Sequence, residues 1–286
     1  MNPGSMEHER DHRAPPAEVE ERSSTDLSAA IPAPSAAGPT RRIEEHLVSL
    51  LAPNSFEAEQ YRALRAVLEQ GRKAKSLSVI AISSPAAGDG KTLTAINLAG
   101  TLAQAPEARI LLVDGDLRRP AVEEHLGLST ERSAGLVEAI LDPGMTLERA
   151  VRRLPLFNLW VLPAGRCPAS PYEVLKSPRL GDLLQDARRR FDYVLIDTPP
   201  VVPVPDLRLI TKWVDGFLMV VAAHKTPRRL LEEALYVADP GKIVGLVFNN
   251  DDRLLSRAYG YYGYGRPLNG SAGRRGRHTT EGRGES

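Results

Sequence analysis

The sequence predicts an α/β fold built on one doubly wound, mostly parallel sheet. Short apolar segments alternate along the chain with segments of helical character, as expected when right-handed crossovers join parallel strands. The apolar segments are nearly continuous in Val, Ile and Leu, which is typical of strands buried on both faces. Six segments have this character: SLSVIAI, ARILLVD, FNLWVLP, FDYVLID, GFLMVVAA and KIVGLVFNN.

The helices expected between these strands cover residues 92–104, 176–190, 206–212 and 227–237. A further helix is predicted upstream, in the segment FEAEQYRALRAVL, because its apolar residues recur at helical spacing. The apolar face of that helix is expected to carry Phe56, Tyr61, Leu64 and Leu68. Strands and helices together define one predicted domain over residues 41–265.

Both ends of the chain are predicted to be disordered. Residues 1–40 are rich in Pro, Ala, Ser and Glu, and residues 266–286 are rich in Gly and Arg. Neither segment has enough large apolar side chains to offset the entropy that is lost when a chain becomes ordered.

The composition predicts a cytoplasmic protein. A formal net charge of +1 over 286 residues favours neither nucleic acid nor a membrane surface, so no nucleic-acid partner is expected. Cys167 is the single cysteine, which leaves no internal disulfide and fits a reducing compartment. The longest apolar run, residues 217–223, is far shorter than the roughly 20 residues that span a bilayer.

The segment SSPAAGDGKTLT follows a predicted strand and opens a predicted helix. It matches the phosphate-binding pattern G-x-x-x-x-G-K-[ST] except at the first position, where Pro85 stands in place of glycine. Gly88 and Gly90 would let backbone N–H groups surround phosphate oxygens at the start of the helix. Lys91 would place a positive charge on the outer phosphates, and the Thr92 hydroxyl would bind Mg²⁺. The predicted nucleotide-binding residues of this loop are Ala87, Gly88, Asp89, Gly90, Lys91, Thr92 and Leu93.

Three aspartates end predicted strands of the same sheet. Asp114 and Asp116 flank a glycine in LLVDGDLRRP, and Asp197 ends the strand in YVLIDTPP. Carboxylates at the tips of buried strands are unfavourable unless a cation lies beside them. Ligand sites of parallel sheets lie beyond the carboxyl ends of the strands. The aspartates and the phosphate loop therefore predict a site for Mg²⁺ and a nucleoside triphosphate.

The phosphate loop, the pattern hhhDxDxR (h is apolar) and the pattern hhhDTPP together resemble the bacterial tyrosine kinases of capsule and exopolysaccharide synthesis. The first loop position of that family is commonly not glycine. The resemblance covers roughly residues 54–265 and implies a P-loop NTPase fold of the MinD/ParA-like type. It also implies ATP and Mg²⁺ as cofactors and protein tyrosine as the phosphate acceptor.

The resemblance assigns roles to individual residues. By the family's pattern, Lys91 contacts the phosphates and Asp114 takes the proton from the tyrosine hydroxyl. The implied metal ligands are Thr92, Asp116 and Asp197, and the implied catalytic residues are Lys91, Asp114 and Asp116. The signature motifs of eukaryotic protein kinases do not occur in the sequence.

Cell-division and plasmid-partition ATPases share the predicted sheet and are the alternative. Many of them carry an extra lysine five positions before the P-loop lysine, where this sequence has Ala86. This counts against a nucleotide switch that recruits a partner without phosphotransfer, but it leaves that alternative open. The segment NNDD at 249–252 lacks the lysine of the guanine-binding pattern N-K-x-D, so ATP is expected rather than GTP. Asn249 is a candidate adenine contact, with a plain turn as the other interpretation.

Glu59, Arg62 and Arg65 form an E-x-x-R-x-x-R pattern in the upstream helix. Steps of three residues place these side chains on one stripe of the helix surface. The spacing alone also fits an ordinary solvated charged face. In the family that the sequence resembles, this motif builds the interface between subunits, so the resemblance implies a ring-like homo-oligomer.

The segment AYGYYGYGRP contains four of the eight tyrosines of the chain, Tyr259, Tyr261, Tyr262 and Tyr264. The glycines between them argue against a helix or a packed strand, so the rings are expected to be exposed. The resemblance implies that these tyrosines accept phosphate in trans from a neighbouring subunit. The chain continues for about 20 residues beyond the cluster, whereas chains of the family often end there.

The resemblance also implies a membrane partner. Many relatives fuse the kinase to a membrane-spanning regulator of polysaccharide chain length, and others are separate chains that such a regulator activates. Because no apolar span occurs in this sequence, the second arrangement is expected. The kinase would then act at the inner face of the membrane and regulate polysaccharide polymerisation or export.

Overall fold

The computed structural model describes residues 41–128 and 134–251. The two predicted disordered ends and the tyrosine cluster lie outside the described residues. Among those described, no helix is both long enough and apolar enough to cross a membrane.

A seven-stranded sheet forms the centre of the molecule, and it confirms the predicted fold class. The strands are β1 (Val79–Ser83), β2 (Ile110–Asp114), β3 (Arg152–Leu154), β4 (Leu159–Leu162), β5 (Tyr193–Asp197), β6 (Gly216–Ala222) and β7 (Ile243–Asn249). Their order across the sheet is β3-β4-β2-β5-β1-β6-β7. All neighbours run parallel except β3 and β4, which are antiparallel. Strand order therefore reverses beside β1, and such a point is where open α/β sheets bind ligands.

Ten helices surround the sheet within the described ranges. They are α1 (Val48–Leu51), α2 (Phe56–Lys75), α3 (Lys91–Leu102), α4 (Val122–His125), α5 (Leu136–Leu141), α6 (Leu147–Ala150), α7 (Pro171–Lys176), α8 (Pro178–Arg190), α9 (Asp206–Thr211) and α10 (Arg228–Val237). Two short 3₁₀ turns occur at Pro155–Phe157 and Pro240–Lys242.

Alternate residues of each central strand pack into two hydrophobic layers, one on each face of the sheet. In β1, Val79 and Ala81 belong to one layer, whereas Ile80 and Ile82 belong to the other. All four are fully buried, which explains why the strand sequences lack an apolar–polar alternation.

The upstream helix α2 forms where its periodicity predicts. Ser55 caps it, with its hydroxyl accepting a hydrogen bond from the Ala58 N–H. Leu68 is fully buried and Leu64 is partly buried, so the predicted apolar face packs on the domain.

The structure corrects two of the predicted elements. The helix predicted over 176–190 begins two residues later, as α8 at Pro178, because the proline forces Ser177 out of helical geometry, and Lys176 instead ends the separate helix α7. Strand β7 forms as predicted but is not buried on both faces, because it is the edge of the sheet. Leu246 is 38% exposed and Phe248 is 58% exposed.

Candidate active site

The predicted phosphate loop connects β1 to α3 at the carboxyl end of the sheet. Gly88 and Gly90 have φ angles of 85° and 93°, which favour glycine strongly. Gly90 also lies directly under the Asn249 side chain, and a Cβ atom there would collide with the Asn249 amide. Gly88 is therefore required by its backbone angle, and Gly90 by both its backbone angle and the space available.

Asp89, within the loop, holds the loop in place through its carboxylate, which is fully engaged in hydrogen bonds. Its side chain is buried and accepts hydrogen bonds from the Ala86 N–H at 3.0 Å and the Thr226 hydroxyl at 2.8 Å. The Asn249 amide donates to the Asp89 carbonyl at 3.0 Å. The predicted adenine contact Asn249 thus braces the loop in this structure. Thr226 was not predicted from the sequence.

Three of the predicted residues, Thr92, Asp116 and Asp197, surround the Lys91 ammonium. The Lys91 Nζ lies 3.0 Å from Asp116 Oδ2 and 3.4 Å from Asp197 Oδ1. The Thr92 hydroxyl donates to Asp197 Oδ2 at 2.7 Å. Burial opposes the charge on the ammonium, but Asp197 and Asp116 outweigh that effect and raise the pKa of Lys91. The structure therefore brings a cation and two carboxylates together as the sequence predicted.

Asp114 and Asp197 are paired residues on the neighbouring parallel strands β2 and β5. Burial raises the pKa of Asp114 to about 7, and the nearby Asp197 carboxylate adds to the shift. Burial raises the pKa of Asp197 to about 6, against the opposing effect of Lys91. Asp114 is only 1% exposed, and its carboxylate accepts the N–H groups of Ala121 and Val122 at 3.1 Å each. The pKa of Asp114 is thus set by burial and by neighbouring protein groups, not by solvent.

A pocket of about 510 Å³ opens beside this cluster. Its lining comprises Ala87, Gly88, Lys91, Thr92, Asp116, Arg118, Arg119, Pro199, Pro200, Pro203 and Val204. One wall is the phosphate loop, and the opposite wall comes from the segments that follow β2 and β5. These two segments are joined by a bidentate pair, with Arg118 Nε and Nη2 lying 2.7 Å and 2.9 Å from the carboxylate oxygens of Asp206. Asp206 is fully buried and was not predicted as a site residue.

The donor set beside the pocket fits Mg²⁺. Thr92, Asp116 and Asp197 supply hard oxygen atoms, and the position that these atoms share holds the Lys91 ammonium, itself a cation. No three His, Cys, Asp or Glu side chains in the described ranges form a ready-made metal site. A sparse protein donor set is what Mg²⁺ uses when water and substrate phosphates complete its coordination.

The residues predicted for the subunit interface all lie on α2, but their contacts within the subunit differ. The Arg62 guanidinium contacts Glu59 and the Pro53 carbonyl, both close to it in the chain. The Arg65 guanidinium donates to Glu69 at 2.7 Å and to the Thr101 carbonyl of α3 at 2.9 Å. Arg65 therefore holds α2 against α3 within one subunit. The predicted phosphoacceptor tyrosines lie outside the described residues.

Fold and site together define a P-loop nucleotide-binding protein of the α/β class. Residues 77–212 match the model of an AAA domain family. The chain is 32% identical over 225 residues to the tyrosine-protein kinase YwqD of Bacillus subtilis (strain 168), covering 78% of this chain and 93% of YwqD. The chain therefore belongs to the bacterial tyrosine kinase family, as its motifs predicted.

Two further likenesses extend this result. The succinoglycan biosynthesis transport protein ExoP of Rhizobium meliloti (strain 1021) is 31% identical over 220 residues, which are 75% of this chain and 27% of ExoP. This chain thus corresponds to about a quarter of that longer relative. The crystal structure of the chimerical protein CapA2B2 superposes with a TM-score of 0.66 at 26% identity, covering 79% of this chain and 98% of that one.

Proposed function

We propose that this protein is an ATP-dependent protein-tyrosine autokinase that phosphorylates its C-terminal tyrosine cluster in trans. The observation that carries the proposal is the meeting of Lys91, Thr92, Asp116 and Asp197 at a pocket beside a phosphate loop, in a chain of this kinase family. Lys91 has the positive charge that the phosphates need, and the hydroxyl of Thr92 and the two carboxylates have the oxygen atoms that Mg²⁺ needs.

The nucleotide phosphates would lie along the loop from Gly88 to Thr92, at the start of α3. Lys91 would exchange its carboxylate partners for phosphate oxygens, which frees Asp116 and Asp197 to hold Mg²⁺ with Thr92. Bound Mg²⁺ would neutralise charge on the phosphates and orient them. Positioning and charge neutralisation are most of what an enzyme supplies in this reaction.

In the transfer, the tyrosine oxygen bonds to the γ-phosphorus, and the bond from that phosphorus to the bridging oxygen of ADP breaks, so ADP leaves. The tyrosine must lose its proton in the same reaction. A phenol has an ordinary pKa near 10, so a base assists. We assign that role to Asp114, whose raised pKa of about 7 suits proton transfer near neutral pH. The proton would move from the tyrosine oxygen to the Asp114 carboxylate.

The biological setting proposed is polysaccharide polymerisation or export. The name of ExoP, a succinoglycan biosynthesis transport protein, supports it. We propose that a membrane-bound chain-length regulator activates the kinase at the inner face of the membrane. We also propose a ring-like homo-oligomer, in which each tail reaches the pocket of the next subunit.

The test is incubation of the full chain with Mg²⁺ and ATP, followed by mass spectrometry of residues 254–286. Phosphate is expected on Tyr259, Tyr261, Tyr262 or Tyr264. Lys91→Met should abolish the signal, whereas Lys73→Met should retain it, because Lys73 is exposed near the end of α2, before the amino end of β1, whereas the phosphate loop follows the carboxyl end. ATP turnover by the wild type without phosphotyrosine, with the membrane activator present, would favour the nucleotide switch instead.

A further inference from the structure

The turn between β6 and α10 is fastened to the phosphate loop. The Thr226 hydroxyl donates to the Asp89 carboxylate at 2.8 Å and accepts the Ala222 N–H at 3.1 Å. The Ala223 N–H donates to the Asn249 carbonyl at 2.7 Å, and Asn249 itself bonds to the loop. The turn is therefore fixed on two sides, so a side chain that it carries has a defined place beside the loop.

Lys225 is that side chain. Its Nζ lies 3.9 Å from the position that a Cβ atom on Gly88 would occupy. Gly88 lines the pocket, so the ammonium lies at the loop where phosphate oxygens are expected. Lys225 is exposed, and its ammonium takes part in no hydrogen bond or ion pair among residues 41–128 and 134–251.

The charge balance at the loop favours a second cation. Lys91 lies among buried carboxylates, with Asp116 and Asp197 in contact, so its positive charge is already compensated. Asp89 adds a further buried acid within the loop, and Ala86 contributes no charge. Among the loop and turn residues just described, Lys225 carries the ammonium that has no carboxylate partner. It adds to the exposed Arg119, which lines the pocket from the segment after β2.

We propose that Lys225 is a second phosphate-binding lysine, which donates to nucleotide phosphate oxygens from the side of the loop opposite the aspartates. The ligand class is a nucleoside polyphosphate. The inference rests on the nucleotide binding in the proposed function and does not depend on transfer to tyrosine. Hydrogen bonds between charged partners are the stronger ones in proteins, so the contact contributes to affinity.

The test is calorimetric titration of the full chain with a non-hydrolysable ATP analogue and Mg²⁺, and separately with adenosine. Lys225→Ala should weaken binding of the analogue about tenfold, a typical effect of losing one charge-assisted hydrogen bond. Adenosine affinity should not change, because adenosine has no phosphate. Lys225→Arg should retain most of the affinity. Lys73→Ala should equal wild type, because Lys73 is exposed before the amino end of β1, away from the phosphate loop.

Each other outcome overturns the inference. If Lys225→Ala binds the analogue as well as wild type does, while Lys91→Met loses it, the Lys225 proposal fails and the proposed function stands. If Lys225→Ala loses adenosine and analogue equally, the residue acts on the pocket as a whole and contacts no phosphate. If the wild type itself binds no analogue, both proposals fail together.

Discussion

At the scale of residues, the carboxyl groups of Asp114 and Asp197 hold protons at pH values where ordinary aspartates have lost them. Burial raises their pKa values to about 7 and about 6, whereas an unfolded chain has pKa values near 3.9 for aspartate. The folded state binds these protons more tightly, so stability falls as pH rises through this interval. We predict that the free energy of unfolding of the nucleotide-free protein decreases between about pH 5 and about pH 8, as measured by urea denaturation.

The Asp197→Asn variant isolates the contribution of Asp197 to the pH dependence of stability from the contributions of the other titratable groups. It should be more stable than wild type at about pH 8, by on the order of 3 kcal/mol for a shift of about two pKa units, and nearly equal to it at about pH 4. The matched variant Asp182→Asn, on the surface of α8, should keep the wild-type slope. An unchanged slope in Asp197→Asn would contradict the assignment.

The bidentate pair between Arg118 and Asp206 leads to a stability prediction. Arg118→Ala would leave the fully buried Asp206 carboxylate without these two donors, so we expect a loss of about 1–3 kcal/mol in unfolding free energy. Arg118→Lys should lose less, because it keeps the charge but not the paired geometry. Denaturation of the two variants and of the exposed control Arg228→Ala checks this. Equal stability of all three would contradict it.

The sequence located Lys91, Thr92, Asp116 and Asp197 because each follows a strand or opens a helix in a recognisable local pattern. Thr226 and Asp206 were missed for a physical reason. Their partners Asp89 and Arg118 lie 137 and 88 residues away, so no local spacing links the two halves of either contact.

At the scale of elements, the phosphate loop is held from outside by Thr226 and Asn249 and from within by Asp89, and its glycines decide whether it can form. Gly90→Ala should weaken binding of the ATP analogue by about tenfold or more, because φ of 93° costs a side-chain-bearing residue about 1–2 kcal/mol and the new Cβ meets Asn249. Adding Asn249→Ala would remove the collision but not the backbone strain, so the double variant should recover binding only in part. Full recovery would show that the collision alone matters.

The positions of helices and strands along the chain were largely predictable from the sequence, whereas the place of each strand in the sheet was not. The continuous apolar strands followed from burial on both faces, but β7 has the same composition at an open edge. An apolar sequence alone does not reveal which strand is last in the sheet. The antiparallel β3, with sequence RRL, was not predicted, because two of its three residues are charged and its pairing with β4 is a tertiary contact.

At the scale of the whole molecule, the proposed ring makes assembly and phosphorylation a cycle. Each tail must reach the next subunit, so the contact is head-to-tail, since a two-fold dimer cannot pass tails around a closed loop. Each phosphotyrosine adds roughly −1.5 to −2 charges beside Asp116, Asp197 and the bound nucleotide. The association between subunits should therefore weaken as more tyrosines of the tail are phosphorylated.

The structure indicates which variant tests the ring cleanly. Arg65 bonds to the Thr101 carbonyl, so its removal would disturb the packing of α2 on α3 within one subunit. Glu59 and Arg62 contact only each other and a neighbouring carbonyl in the contacts given above, so Glu59→Ala/Arg62→Ala should leave the subunit folded. Light scattering with Mg²⁺ and ATP should give the largest mass for Lys91→Met, a smaller mass for phosphorylated wild type, and a monomer for the double variant. Equal masses for all three, with the activator segment and ATP present, would exclude both the interface and the cycle.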